Sequence, residues 1–141
     1  MMETTGESRI RIERSIEVDA TRVRAYKVLS DPTNIPRFAP DIESVMVTRM
    51  TPQLVGTKLT LFTRESGELM GEVVEADAPN TCAFRTETGR MTRWSIENDG
   101  DQIRLVNTIE TDEPLDPARL TPELDRKLRT LRNALLQGLR N

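Results

Sequence analysis

The chain reads as an α+β protein in which a curved antiparallel sheet is covered by one long C-terminal helix. Three observations predict this. A cleanly alternating strand ends at Val18 and is followed by two helix starts. Six β-rich runs then succeed one another with Gly or Pro at hairpin spacing and no helical period between them. A leucine stripe of helical period closes the chain. A sheet with so few helices to cover it encloses a pocket.

The first strand is expected over Arg9–Val18, with Ile10, Ile12, Ile16 and Val18 on one face and Arg9, Arg11, Glu13 and Glu17 on the other. Arg14 is an odd charged residue on the apolar side. Thr21 suits an N-cap, and Ala25, Val28 and Leu29 give the following helix its apolar stripe. Asp31-Pro32 ends that helix, because a residue before proline is pushed out of the helical region. Pro32 to Phe38 allows one further turn, limited by Pro36.

Strands follow at Val45–Thr48, Thr57–Thr63, Leu69–Ala76, Thr81–Thr86, Arg90–Glu97 and Ile103–Thr111, punctuated by Gly56, Gly67, Pro79, Gly89 and Gly100. Asp99-Gly100 suits the centre of a type I′ turn. Pairing outward from it puts Ile96 opposite Ile103, Trp94 opposite Leu105, Thr92 opposite Asn107 and Arg90 opposite Ile109. A three-residue turn Glu87-Thr88-Gly89 then pairs Phe84 with Thr92 and Cys82 with Trp94. The inner face is therefore Cys82, Phe84, Trp94, Ile96, Leu105 and Ile109, interrupted by Thr86, Arg90, Thr92 and Asn107. The facing of the strands before Cys82 stays open. Asp116-Pro117 and Thr121-Pro122 both resemble helix starts, and Pro122 places the long helix at Thr121–Arg140. Its stripe is Leu124, Leu128, Leu131, Leu135 and Leu139.

At 141 residues the chain fits one domain, expected over residues 9–141 after a disordered segment 1–8. A net charge of -3 with mixed signs argues against nucleic acid, and the basic residues of the last helix read as a solvated face. No apolar run is long enough to span a bilayer, and no leader is evident, so a cytoplasmic protein is expected. One cysteine excludes an internal disulfide, and zero histidines remove the Ser-His and Cys-His pairs and histidine-ligated metal. No phosphate loop or metal motif is present, and no cofactor is expected.

Val18-x-Ala20 followed by Tyr26, Asp31 and Phe38-x-Pro40 resembles the opening of the START-like superfamily, the polyketide cyclase/dehydrase-like, SRPBCC or helix-grip proteins. The likeness continues through Gly56, the Asp77-Ala78-Pro79-Asn80 turn and the last hairpin. It implies a seven-stranded antiparallel sheet, in the order 1-7-6-5-4-3-2, gripping the C-terminal helix over an apolar cavity. It further implies an intracellular binding protein for a small hydrophobic ligand such as a lipid, an isoprenoid or quinone, or a polyketide-like aromatic. A cyclase/dehydratase working by Arg/Asn polarisation and a protein-interaction adaptor without a ligand are the alternatives. Whether any reaction is catalysed stays open, as does oligomeric state.

The candidate ligand-binding residues are Arg14, Phe84, Thr86, Arg90, Thr92, Trp94, Leu105, Asn107 and Ile109. Asn107 admits two readings, a hydrogen bond to Thr92 or a polar tip facing a ligand oxygen. Arg14 and Arg90 either point inward toward a ligand oxygen or snorkel to solvent. Trp94 and Phe84 serve as core or as ligand platform, and Tyr26 as packing. Met46, Met50, Met70 and Met91 read as adaptable gap-fillers and Cys82 as an inert small hydrophobe. Glu65 with Glu68, and Glu72 with Glu75, read as solubilising pairs rather than general acids.

Overall fold

The computed structural model describes residues 10–39 and 41–137. The segment 1–8, Arg9, Leu139 and Arg140 lie outside the described residues. Strand β1 (Ile10–Val18) is followed by helix α1 (Arg22–Ser30), a 3-10 turn (Pro32–Asn34) and the single-turn helix α2 (Ile35–Phe38). The Thr21 hydroxyl caps α1 by accepting from the Arg24 amide, and the Asp31 carboxylate accepts from the Thr33 amide to start the next turn. Strands β2 (Ile42–Arg49), β3 (Lys58–Thr63), β4 (Gly67–Asp77), β5 (Thr81–Thr86), β6 (Met91–Asp99) and β7 (Gln102–Thr111) then lead to helix α3 (Pro117–Gln137).

All pairs are antiparallel, in the sheet order β1-β7-β6-β5-β4-β3-β2. Register shifts in β2, between Ile42 and Ser44 and between Val47 and Arg49, and in β4, between Val73 and Glu75, mark irregularities of the kind that bend a strand. They fall on the half of the sheet away from β1. Leu59 and Leu61 of β3 and Val73 of β4 are buried, while Met46 and Met70 flank Thr60 on the exposed outer face. The facing left open by the sequence is thereby settled.

The last hairpin differs from expectation. Asp99 pairs with Gln102, so the central residues are Gly100-Asp101, and β6–β7 pairs run Ile96↔Leu105, Trp94↔Asn107 and Thr92↔Ile109. Only glycine adopts positive φ readily, and Gly100 does so at +64° while Asp101 does not. That matches a type II′ turn, with glycine at the first central position, rather than type I′. Moving the turn by one residue moves each partner by two, so every side chain keeps its expected face. The β5–β6 register agrees with expectation, with Phe84 opposite Thr92 and Cys82 opposite Trp94.

Helix α3 begins at Pro117, one turn before the expected Thr121, and carries Pro122 inside it. Proline 117 suits the first helical position, and the Asp116 carboxylate accepts from the Ala118 amide. The extra turn also buries Leu120 with Ile12, Ile109 and Leu124. Capping and burial together outweigh the hydrogen bond that Pro122 cannot donate. Leu128, Leu131 and Leu135 continue the stripe into the main core, against Val18, Trp94, Ile96 and Leu105. The helix packs chiefly on β1, while α1 lies against β5 and β6 and α2 against β2. No described helix is long and apolar enough to cross a membrane.

Leu131 is fully buried and Leu136 is 54% exposed, one stripe residue and one off it. Leu131→Ala should lower unfolding free energy by about 2–5 kcal/mol and Leu136→Ala by less than about 0.5 kcal/mol, read by urea denaturation.

Candidate functional site

Because α3 rests toward β1, the concave face of the remaining strands is left partly uncovered. The opening is a cleft of about 530 Å³ between α2, α3 and the inner face of the sheet. Its apolar wall is built by Phe38, Leu61, Leu69, Phe84, Trp94 and Ile109, delivered by α2 and by alternate positions of β3 to β7. Phe38 meets Trp94 edge to face, with centroids 5.7 Å apart and planes at 88°. Trp94 is thereby locked on the cleft wall at 3% exposure, while Phe84 is half-buried.

Six of the nine candidate residues line this cleft: Phe84, Thr86, Arg90, Thr92, Trp94 and Ile109. Three do not. Arg14 has the inward parity but sits on the edge strand β1 beside α3, and its guanidinium grips both oxygens of Asp125, at 2.8 and 3.1 Å. That contact raises the Arg14 pKa further, the hydrogen bond being the larger cause. Leu105 is sealed in the core at 0% exposure. Asn107 is equally buried, and its amide donates to the Arg93 carbonyl at 3.0 Å rather than engaging Thr92. Its Oδ1 has no partner among the described residues.

Arg90 is one of the cleft's cations. Its Nε donates to Glu113 at 3.1 Å, and the same Glu113 oxygen accepts from the Thr111 hydroxyl at 3.0 Å. Thr86 shares a hydrogen bond with Thr88 at the strand end. Tyr26 stands outside the cleft lining. Burial pushes the Cys82 thiol up to about 12, with Glu75 a smaller cause, so it stays protonated at neutral pH and fits the inert reading. Of the acidic pairs, Glu72 is held by Lys58 and Glu75 by Arg93 and Thr81. Glu65 lies at the cleft rim.

Lys127 is the residue that sequence reasoning missed. Its ammonium lies 5.7 Å from the centroid of the Trp94 ring, and the side chain lines the cleft. The cleft reaches it, so it is partly accessible; protein encloses the cleft, so the charge is desolvated. Burial lowers its pKa to about 8, Asp41 and Glu123 opposing the shift and Arg90 adding to it. A signal was present in the spacing: Lys127 falls three residues after Leu124 and four before Leu131, on the flank of the leucine stripe.

The chain matches the family model described as polyketide cyclase / dehydrase and lipid transport over residues 9–141. No curated protein sequence matches it. Among solved structures it is similar to a START superfamily protein from Mycobacterium smegmatis, at 16% identity, with a TM-score of 0.77, covering 90% of this chain and 97% of that one. The Zhui aromatase/cyclase from a Streptomyces species gives a TM-score of 0.73 at 15% identity, covering 94% and 96%. The Aha1 dimer from Colwellia psychrerythraea gives 0.70 at 16% identity, covering 89% and 96%. At these identities the structural likeness establishes the fold.

Lys127 binds fewer protons folded than unfolded between about pH 8 and its ordinary value of 10.5, so its contribution to stability improves as pH rises through that window. Lys127→Met should therefore stabilise the protein at pH 7, by about 1–2 kcal/mol after allowing for solvent in the cleft. The advantage should shrink toward pH 10.5, as read by denaturation at both pH values.

Proposed function

This chain belongs to the polyketide cyclase/dehydrase and lipid transport family, and we propose from that premise that its cleft binds a small hydrophobic molecule. Lipids, isoprenoids or quinones, and polyketide-like aromatics are the classes it suits. The observation that carries this reading is the open volume of about 530 Å³. It falls within the usual range for small-molecule sites, where apolar walls supply most of the affinity and a few polar groups set orientation. The ligand contacts we assign are Phe84, Trp94 and Ile109 for the hydrocarbon and Thr86, Arg90 and Thr92 for its oxygens. An adaptor without a ligand would be expected to fill its concavity with side chains, and the open cleft favours a ligand instead.

A second reading, a cyclase or dehydratase, is favoured by one feature of the same cleft. Arg90 and Lys127 both line it and are close enough for the charge of one to act on the other. Two cations facing a bound polyketide would stabilise developing negative charge on a carbonyl oxygen without histidine. Loss of turnover in Arg90→Ala with retained substrate binding would distinguish this enzyme from a carrier.

Native mass spectrometry of gently purified protein, with uptake from a panel of lipids, quinones and aromatic polyketides, tests the binding reading. Added mass is the expected result. Thr92→Trp should fill the cleft floor and weaken uptake by tenfold or more, with circular dichroism confirming the fold. A bare-chain mass and no uptake from any class would overturn it.

A further inference from the structure

Among the described residues, no carboxylate or other polar group lies within hydrogen-bond or ion-pair distance of Lys127. A desolvated ammonium without a partner is costly, and the face of Trp94 repays only part of that cost. The other charges that act on it are Asp41, just after α2, Glu123, one turn earlier on α3, and Arg90, just before β6. Both acids are exposed and neither reaches contact. Glu65, Glu113, Asp116 and Arg119 also line the cleft, but Glu65 lies at the rim, Glu113 is engaged by Arg90 and Thr111, and Asp116 caps α3. Arg90 in turn uses only its Nε, leaving its terminal nitrogens without a partner among the described residues. Lys127 and Arg90, beside the exposed Arg119, thus face a cleft of mixed polarity with donor capacity that the described protein leaves unused.

We propose, on the reading of this cleft as a ligand site, that Lys127 anchors the carboxylate of an amphipathic acid, with Arg90 as the second cation. The hydrocarbon would then lie along Leu61, Leu69 and Phe84, the apolar wall beneath. A ligand carboxylate supplies the counter-charge that Lys127 lacks, in a setting where low polarity strengthens the pair. Selectivity follows from the same geometry: an alcohol or ester of equal length fills the wall and leaves the ammonium unpaired. The acid also draws a proton onto Lys127, the one lysine among the described lining residues, whose pKa of about 8 leaves part of it neutral at pH 8.

Calorimetry with dodecanoate and 2-naphthylacetate, each beside its primary alcohol, tests the assignment. The acids should bind at least tenfold tighter than the alcohols. Lys127→Met should abolish that preference while alcohol binding persists, and Lys127→Arg should retain most of it. In wild-type protein at pH 8, titrations in two buffers of different ionisation enthalpy should show uptake of up to about half a proton with the acids and none with the alcohols. Equal binding of acid and alcohol, or a preference that survives Lys127→Met, would overturn the role of Lys127 and leave the cleft as a hydrophobic site. Failure of all four probes, together with an empty result from the lipid and quinone panel, would overturn the cleft reading and this proposal with it.

Discussion

The contact between the leucine row of α3 and the β1 side of the sheet governs the concave half of this molecule. Leu120 and Leu124 meet Ile12 and Ile109, while Leu128, Leu131 and Leu135 join the main core with Val18, Ile96 and Leu105. A helix can bury only one stripe, and a seven-stranded sheet is wider than that stripe. Wherever the helix rests, some of the inner face is left without a covering element. Here α1 and α2 shield part of the remainder from above β5, β6 and β2. The cleft is the part that α2 and α3 border but do not fill.

That placement also decides which inward side chains belong to the core and which to the cleft. Residues on the same face of β6 and β7 fall on either side of this division. Leu105 and Asn107 are sealed, whereas Thr92, Trp94 and Ile109 reach the open volume. Alternation fixes a face but says nothing of this second coordinate, which depends on the resting position of a helix distant in sequence. The nine candidate residues were therefore legible as a group, and their division into six cleft residues and three others was not. Arg14 shows the limit most clearly, since its parity is inward and its partner Asp125 lies 111 residues away.

Local chemistry explains the other differences. The β2–β7 meander and the β5–β6 register follow from alternation and from glycine spacing, both short-range signals, whereas the β1–β7 pairing that completes the strand order was what the family resemblance implied. At the last hairpin the same signals pointed to Asp99-Gly100 as the centre, whereas Asp99 pairs with Gln102 and the centre is Gly100-Asp101, with positive φ at the glycine alone. The start of α3 was set by Asp116 and Leu120, a cap and a burial, against a proline that taken alone favours a later start. Lys127 was hidden for a different reason. A lysine among many charges on a terminal helix has the composition of a solvated face, and only its three- and four-residue distances from Leu124 and Leu131 set it apart.

Trp94 is the only tryptophan in the sequence, and it sits on the cleft wall between the Phe38 edge and the Lys127 ammonium. The indole chromophore of the whole molecule is thus confined to the one place where a guest, a proton or a displaced solvent molecule would be felt. Its emission is an intrinsic optical gauge of cleft occupancy, free of background from any second indole. Titrating an unlabelled sample in a cuvette reads the site directly, with no dye or engineered label to disturb it.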